Sequence, residues 1–175
     1  MEAAIDNYSE MSDSMELIIS ILIRYPQINK VDIEPNSKEL SFTFLIEKEL
    51  REDEIEKINH KLKQSLELFS RLANVSSDSF KINFKDYGGL TKIKVTTGIL
   101  SLTKDKISFV IKFIYNEFKE SLLSDVFEVV SSQEPTYHEE VIDDILSSLK
   151  QKGTKRALVG FREEDKVLVF DRSTS

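Results

Sequence analysis

The chain has 175 residues and a formal net charge of −7; hydrophobic residues make up 40% of it and charged residues 31%. This balance is typical of a folded globular protein and excludes an extended disordered one. The absence of cysteine excludes disulfides, thiolate nucleophiles and thiolate metal ligands, and it makes the cytoplasm the expected compartment. The negative net charge excludes a general attraction to phosphate backbones or anionic lipid, so either role needs a local basic patch.

The first third of the chain predicts a helix followed by a hairpin. Residues 1–12 are rich in Asp, Glu and Ser and are expected to fray, whereas Asp13 begins a capping pattern with apolar residues at helical spacing up to Pro26. The apolar run Met15–Ile23 is too short for a transmembrane helix and lacks the basic flank of a signal peptide. Alternation over residues 31–46 predicts two strands.

The middle of the chain repeats this order. Apolar residues three or four positions apart over residues 55–72 predict an amphipathic helix, and alternation over residues 80–95 predicts a hairpin that turns at 86–89. A third helix is predicted over residues 104–123. Phe109 and Phe113 lie opposite its main apolar stripe, so this helix requires cover on two sides.

The last part of the chain predicts a short strand at 126–130, a helix at 137–151 and a hairpin formed by 156–161 and 166–171. Hairpins with one apolar face, joined by helices with one apolar stripe, are best buried as an antiparallel sheet with helices on one side. We therefore predict an α+β fold built from helix-hairpin units, with the helices packed on one face of the sheet. A main domain over 1–132 and a small unit over 133–175 are expected, and the second can pack into the first.

One segment places a histidine beside four carboxylates, which raises the question of a metal or acid-base site. Side chains one helical turn apart can hold a hard cation, but further ligands would have to come from other segments. Thr136 and the first glutamate also form a capping-box pattern, and acidic groups are favoured in the first turns of a helix. The sequence therefore favours helix initiation over metal binding, with no cofactor expected. The candidate residues are His138, Glu139, Glu140, Asp143 and Asp144.

The second hairpin carries four lysines on one face, so that like charges lie opposite or diagonal to one another. Three interpretations are open: an anionic partner such as nucleic acid, an acidic surface of this chain or of a second copy, or lysines that protect a sheet edge from aggregation. An aromatic residue at the hairpin tip could stack on a base. The candidate anion-binding face consists of Lys81, Lys85, Lys92, Lys94 and Tyr87.

These patterns favour binding over catalysis. We predict a non-enzymatic cytoplasmic protein that acts through a protein partner and as a homodimer, with Phe109 and Phe113 as the candidate self-association surface and no membrane contact. One alternative is a nucleic-acid-associated module that uses the lysine face of the second hairpin. The other alternative is a divalent-metal enzyme that uses the carboxylates at 139–144.

Overall fold

A computed structural model describes residues 2–74, 80–124, 135–164 and 166–172. These residues form four α-helices and one antiparallel sheet of six strands, which confirms the predicted α+β class. The strand order across the sheet is β3-β4-β2-β1-β5-β6. The helices are α1 (Glu2–Arg24), α2 (Glu52–Leu72), α3 (Lys104–Phe118) and α4 (Pro135–Lys152); the strands are β1 (Lys30–Glu34), β2 (Glu39–Ile46), β3 (Lys81–Asp86), β4 (Thr91–Gly98), β5 (Leu158–Glu163) and β6 (Lys166–Asp171).

The two faces of the sheet differ in chemistry because successive side chains of a strand point to opposite sides. One face, here the core face, supplies β-branched, leucine and phenylalanine side chains to a single hydrophobic cluster that also contains the apolar stripes of the helices. The opposite face, here the open face, carries lysines, hydroxyls and a few apolar residues that stand apart from that cluster. The strand residues of the core cluster are Val31, Ile33, Leu40, Phe42, Phe44, Ile46, Ile82, Phe84, Ile93, Val95, Leu158, Val167 and Val169.

Strand β5 holds helix α1 against the core face through two residues. A Cβ atom built on Gly160 would lie 2.1 Å from Ile18 Cγ2, so the helix approaches the strand where only glycine leaves room. Two residues further along β5, the buried Arg162 donates to the carbonyl oxygens of Leu22, Pro26 and Ile28. These carbonyls lie at and just beyond the end of α1, where the helix leaves acceptors without an internal partner.

Helices α2 and α3 pack against each other beside this core. The rings of Phe69 and Phe109 stack with centroids 4.8 Å apart, and Lys61 forms an ion pair with Glu117. At the start of α3, Thr103 accepts a hydrogen bond from the backbone NH of Lys106, as a capping residue does. The second side of α3 is therefore covered in part by α2 of the same chain.

Several element boundaries differ from those predicted. Helix α1 already begins at Glu2, since residues 2–12 include no proline or glycine to interrupt it. Helix α3 ends at Phe118 because Lys119 adopts a positive φ of 45° and turns the chain into a short 3-10 helix. Strand β5 runs two residues beyond the predicted Phe161. The strand predicted at 126–130 lies outside the described residues.

The described part of residues 133–175 belongs to the same sheet as the rest of the chain. Strand β5 pairs with β1, with Lys30 opposite Phe161 and Ile33 opposite Leu158, and α4 packs along α1. The predicted boundary at residues 132 and 133 falls in a stretch that the structure does not describe. Within the described ranges, no helix combines the length and the apolarity needed to cross a bilayer.

Candidate functional site

The acidic segment at the start of α4 is engaged in structural contacts. Glu139 Oε1 accepts from Arg24 Nη2 at 2.8 Å, which ties α4 to the end of α1. Asp143 Oδ1 accepts from the backbone NH of Lys104 at 3.3 Å, at the first turn of α3. Glu140 and Asp144 are exposed. Helix α4 begins at Pro135, one residue before the predicted capping residue.

His138, in the first turn of α4, is buried. Only 9% of the residue is exposed, and neither ring nitrogen has a hydrogen-bond partner in the part of the chain that the structure describes. Burial lowers the pKa of this imidazole, and the nearby Arg24 guanidinium lowers it further. Burial likewise raises the pKa of the hydroxyl of Tyr25, the residue after Arg24, to about 12. The neutral forms of both groups are therefore favoured in the folded protein.

The predicted self-association residues lie within the chain's own packing. Phe109 stacks on Phe69 of α2, and Phe113 is partly buried against the core cluster. These contacts account for part of the apolar surface on the second side of α3. Self-association through these two residues stays a prediction.

The four lysines of the second hairpin lie on the open face of the sheet. Lys85 is directly opposite Lys92 in the register of β3 and β4, and Lys94 follows on the same side of β4. Lys81 Nζ lies 3.2 Å from Glu39 Oε1 and is therefore paired. Lys85 Nζ lies 5.1 Å from the centre of the Tyr87 ring, which is half exposed at the hairpin tip.

The remaining three lysines differ from Lys81 in their surroundings. Among the described residues, no carboxylate oxygen lies within 4.0 Å of the ammonium groups of Lys85, Lys92 or Lys94. We call these three residues the lysine cluster. Side chains directly opposite one another on adjacent strands are close enough to interact, so the Lys85 and Lys92 charges repel. The lysine cluster is thus a local positive charge on an acidic protein.

The open face continues from the lysine cluster to an aromatic end. The pairing registers place one row of side chains across the sheet, perpendicular to the strands. The row begins at Lys94 on β4 and continues through the small, buried Thr43 on β2 and Lys30 on β1 to Phe161 on β5. The ring of Phe161 stacks on that of Phe170 with centroids 5.7 Å apart and an interplanar angle of 25°. Phe170 is 50% exposed.

We call Phe161 and Phe170, with the neighbouring Val159 and Leu168, the aromatic end of the open face. These four residues stand outside the core cluster although two of them are phenylalanines. These four residues could not be selected from the sequence because the alternation in β5 and β6 does not show that β5 pairs with β1. Strands β5 and β6 carry apolar residues on both faces, and this sequence pattern indicates a second contact surface.

Lys106, in the first turn of α3, is a further residue that the sequence pattern does not mark. Its side chain is buried, its ammonium group donates to Ser101 Oγ at 3.1 Å, and the same group lies 4.5 Å from the centre of the Phe80 ring. A buried ammonium group needs such partners because burial otherwise disfavours its charge. These contacts mark it as a structural residue that joins the start of α3 to Ser101 and to Phe80, the residue before β3.

The geometry thus defines an α+β protein with an antiparallel sheet covered by helices on one face and bearing a charged and aromatic surface on the other. Over the described ranges, no three or more His, Asp or Glu side chains converge as a metal site would require. Comparisons of the chain with protein-family models, with curated proteins and with solved structures found no match.

Proposed function

We propose that this protein is a non-enzymatic binding module that holds an anionic partner on the open face of its sheet. The observation that carries the proposal is the lysine cluster, in which three positive charges lie together and, among the described residues, no carboxylate oxygen lies within 4.0 Å of any of the three ammonium groups. Each close pair of like charges costs some tenths to about 1 kcal/mol of stability. A partner that supplies negative charge would remove this cost when it binds.

Edge protection accounts for only part of the cluster. Lysines guard a sheet against aggregation when they lie on its outermost strand. Lys85 lies on β3, which is an edge strand, but Lys92 and Lys94 lie on β4, which has a neighbour on each side. The two interior lysines therefore need another explanation.

Ion pairs within the chain account for two lysines of the open face, both of which lie outside the lysine cluster. Glu39 pairs with Lys81, and Asp32 pairs with Lys30 at 3.7 Å. Neither carboxylate reaches the lysine cluster. Of the three interpretations that the sequence left open, an anionic partner is the one that the interior positions of Lys92 and Lys94 support.

Binding of a labelled heparin oligosaccharide, a generic polyanion, tests the proposal by fluorescence anisotropy. We expect binding at low salt that weakens as salt is added, because association with a polyanion releases counterions. The Lys92→Gln/Lys94→Gln variant should bind more weakly, with a salt slope smaller by about 1 per lysine removed.

The matched control is Lys57→Gln/Lys63→Gln, which removes the same charge from exposed positions of α2. This control should retain most of the binding of the unmodified protein. Equal losses in the two variants would attribute the binding to overall charge, and no binding at low salt would reject the proposal.

A further inference from the structure

The open face joins its lysines to an exposed aromatic ring, and this combination narrows the class of partner. We infer that the anionic partner is a single-stranded nucleic acid, whose phosphates contact Lys92 and Lys94 and one of whose bases stacks on Phe170. The inference rests on the proposed function. It goes further by assigning a role to the aromatic end.

The ring of Phe170 is presented in a way that suits stacking. It lies on an edge strand, half of it is exposed, and the Phe161 ring supports one of its sides at 5.7 Å. An aromatic ring held by a neighbour loses little conformational freedom when a base stacks on it. Tyr87, the aromatic residue proposed from sequence, instead has the Lys85 ammonium group over its ring.

The lysines and the ring are connected by the side-chain row described above. Lys94 on β4 and Phe161 on β5 are three strand spacings apart, or roughly 14 Å, and Lys30 lies between them. A flexible strand of nucleic acid can cross this distance in a few nucleotides, passing over Lys30, which is paired with Asp32. Thr43 between the two lysines is 1% exposed and does not project as a barrier.

The chemistry distinguishes a single strand from other polyanions. A duplex hides the faces of its bases within the stack, so it could use the lysines but not Phe170. An acidic protein segment would also meet the lysines, but carboxylate side chains have no flat surface to place on the ring. Single-strand binders combine a basic surface with aromatic stacking platforms, and the open face carries both elements.

The test compares a fluorescein-labelled 12-nucleotide oligothymidylate, a duplex of the same length, polyglutamate and heparin on the same protein. Phe170→Ala should weaken oligothymidylate binding by about five- to 150-fold, the range expected for one lost base stack. Phe170→Leu keeps an apolar side chain on β6 and should show the same loss. Phe170→Tyr keeps a ring and should retain binding.

Two controls separate stacking from folding and from charge. Tyr115→Ala removes an aromatic residue of similar exposure from α3 and should not change oligothymidylate binding. Heparin binding should be the same for Phe170→Ala and the unmodified protein because the substitution leaves the lysine cluster unchanged, and far-UV circular dichroism should show that the variant is folded. We expect the unmodified protein to bind the single strand more tightly than the duplex or polyglutamate. This preference should be lost in Phe170→Ala.

The remaining outcomes overturn the inference in distinguishable ways. If heparin binding depends on the lysines but Phe170→Ala does not weaken oligothymidylate binding, the assignment to a single-stranded nucleic acid is rejected. The proposed function would remain supported. Stronger binding of polyglutamate or of the duplex would do the same and would direct attention to an acidic protein or a double helix. Failure to bind any of the four probes at low salt would reject both proposals.

Discussion

Substitution of Gly160 by alanine should destabilise the protein, because this residue sets how closely α1 approaches the sheet. The added methyl carbon would lie 2.1 Å from Ile18 Cγ2 and 3.3 Å from Leu22 Cδ1. Carbon atoms in contact are normally about 3.5–4.0 Å apart, so Ile18 or the helix must move by more than about 1 Å. Ile18 is fully buried, and the close packing of protein interiors leaves a buried side chain little room to shift.

The expected cost is about 1–3 kcal/mol, as for other substitutions that overpack a core. Replacing glycine with alanine also restricts the unfolded chain, which returns about 0.4–1 kcal/mol. For a chain of this size, each kcal/mol lost corresponds to a fall in melting temperature of roughly 2–4 °C. Urea denaturation of Gly160→Ala should therefore show a lower midpoint with an unchanged slope.

A double variant identifies the clash as the cause. Ile18→Ala alone should cost about 2–5 kcal/mol, because it leaves a cavity between α1 and β5. In that background the methyl group of Gly160→Ala occupies the vacated space, so the second substitution should be neutral or stabilising. If Gly160→Ala costs as much in the Ile18→Ala background as in the unmodified protein, the close contact between α1 and β5 is not what requires glycine here.

Two further substitutions test the packing of α1 and α4. Arg162→Met should lower the free energy of unfolding, measured by urea denaturation, by about 3–5 kcal/mol, since it leaves carbonyl groups at the end of α1 without their charged donor. Arg162→Lys should recover only part of this loss. Full recovery would show that the positive charge alone is sufficient. The lowered pKa of His138 means that the unfolded chain takes up a proton before the folded protein does, so stability should fall as pH drops through the unfolded value of about 6.5. His138→Leu should reduce the difference in unfolding free energy between pH 7.5 and 5.5, and an unchanged difference in this variant would contradict the assignment to His138.

Local patterns were sufficient to predict the fold class. The three or four residue spacing in α2 and the strict alternation in β3 and β4 each fix one buried face, and turn residues separate them. The helix ends were less predictable. Lys119 leaves the helical conformation with a positive φ, which nothing in its residue type requires, and tertiary packing decided that boundary.

Only the part of the candidate site that lies on the hairpin of β3 and β4 could be predicted from the sequence. Lys85 and Lys92 are close in sequence, so the turn alone places them opposite each other. Lys30 and Phe161 are neighbours only because β5 joins the sheet beside β1, a pairing between segments that are distant in the chain. Sequence periodicity indicates which residues share a face within a hairpin, but it does not give the order of hairpins across a sheet.

The acidity of the whole chain and the lysine cluster act over different distances. At physiological salt the screening length is about 8 Å, so a ligand on the open face senses the lysines beneath it more strongly than acids on the far side of the protein. At about 0.01 M salt the screening length grows to about 30 Å, and the net charge of −7 then also repels the approaching polyanion. Added salt therefore weakens the lysine contacts and relieves this repulsion at once. The measured salt slope should therefore be smaller than the number of lysine contacts implies. For this reason, the difference in slope between Lys92→Gln/Lys94→Gln and Lys57→Gln/Lys63→Gln measures direct contact better than the slope of one variant alone.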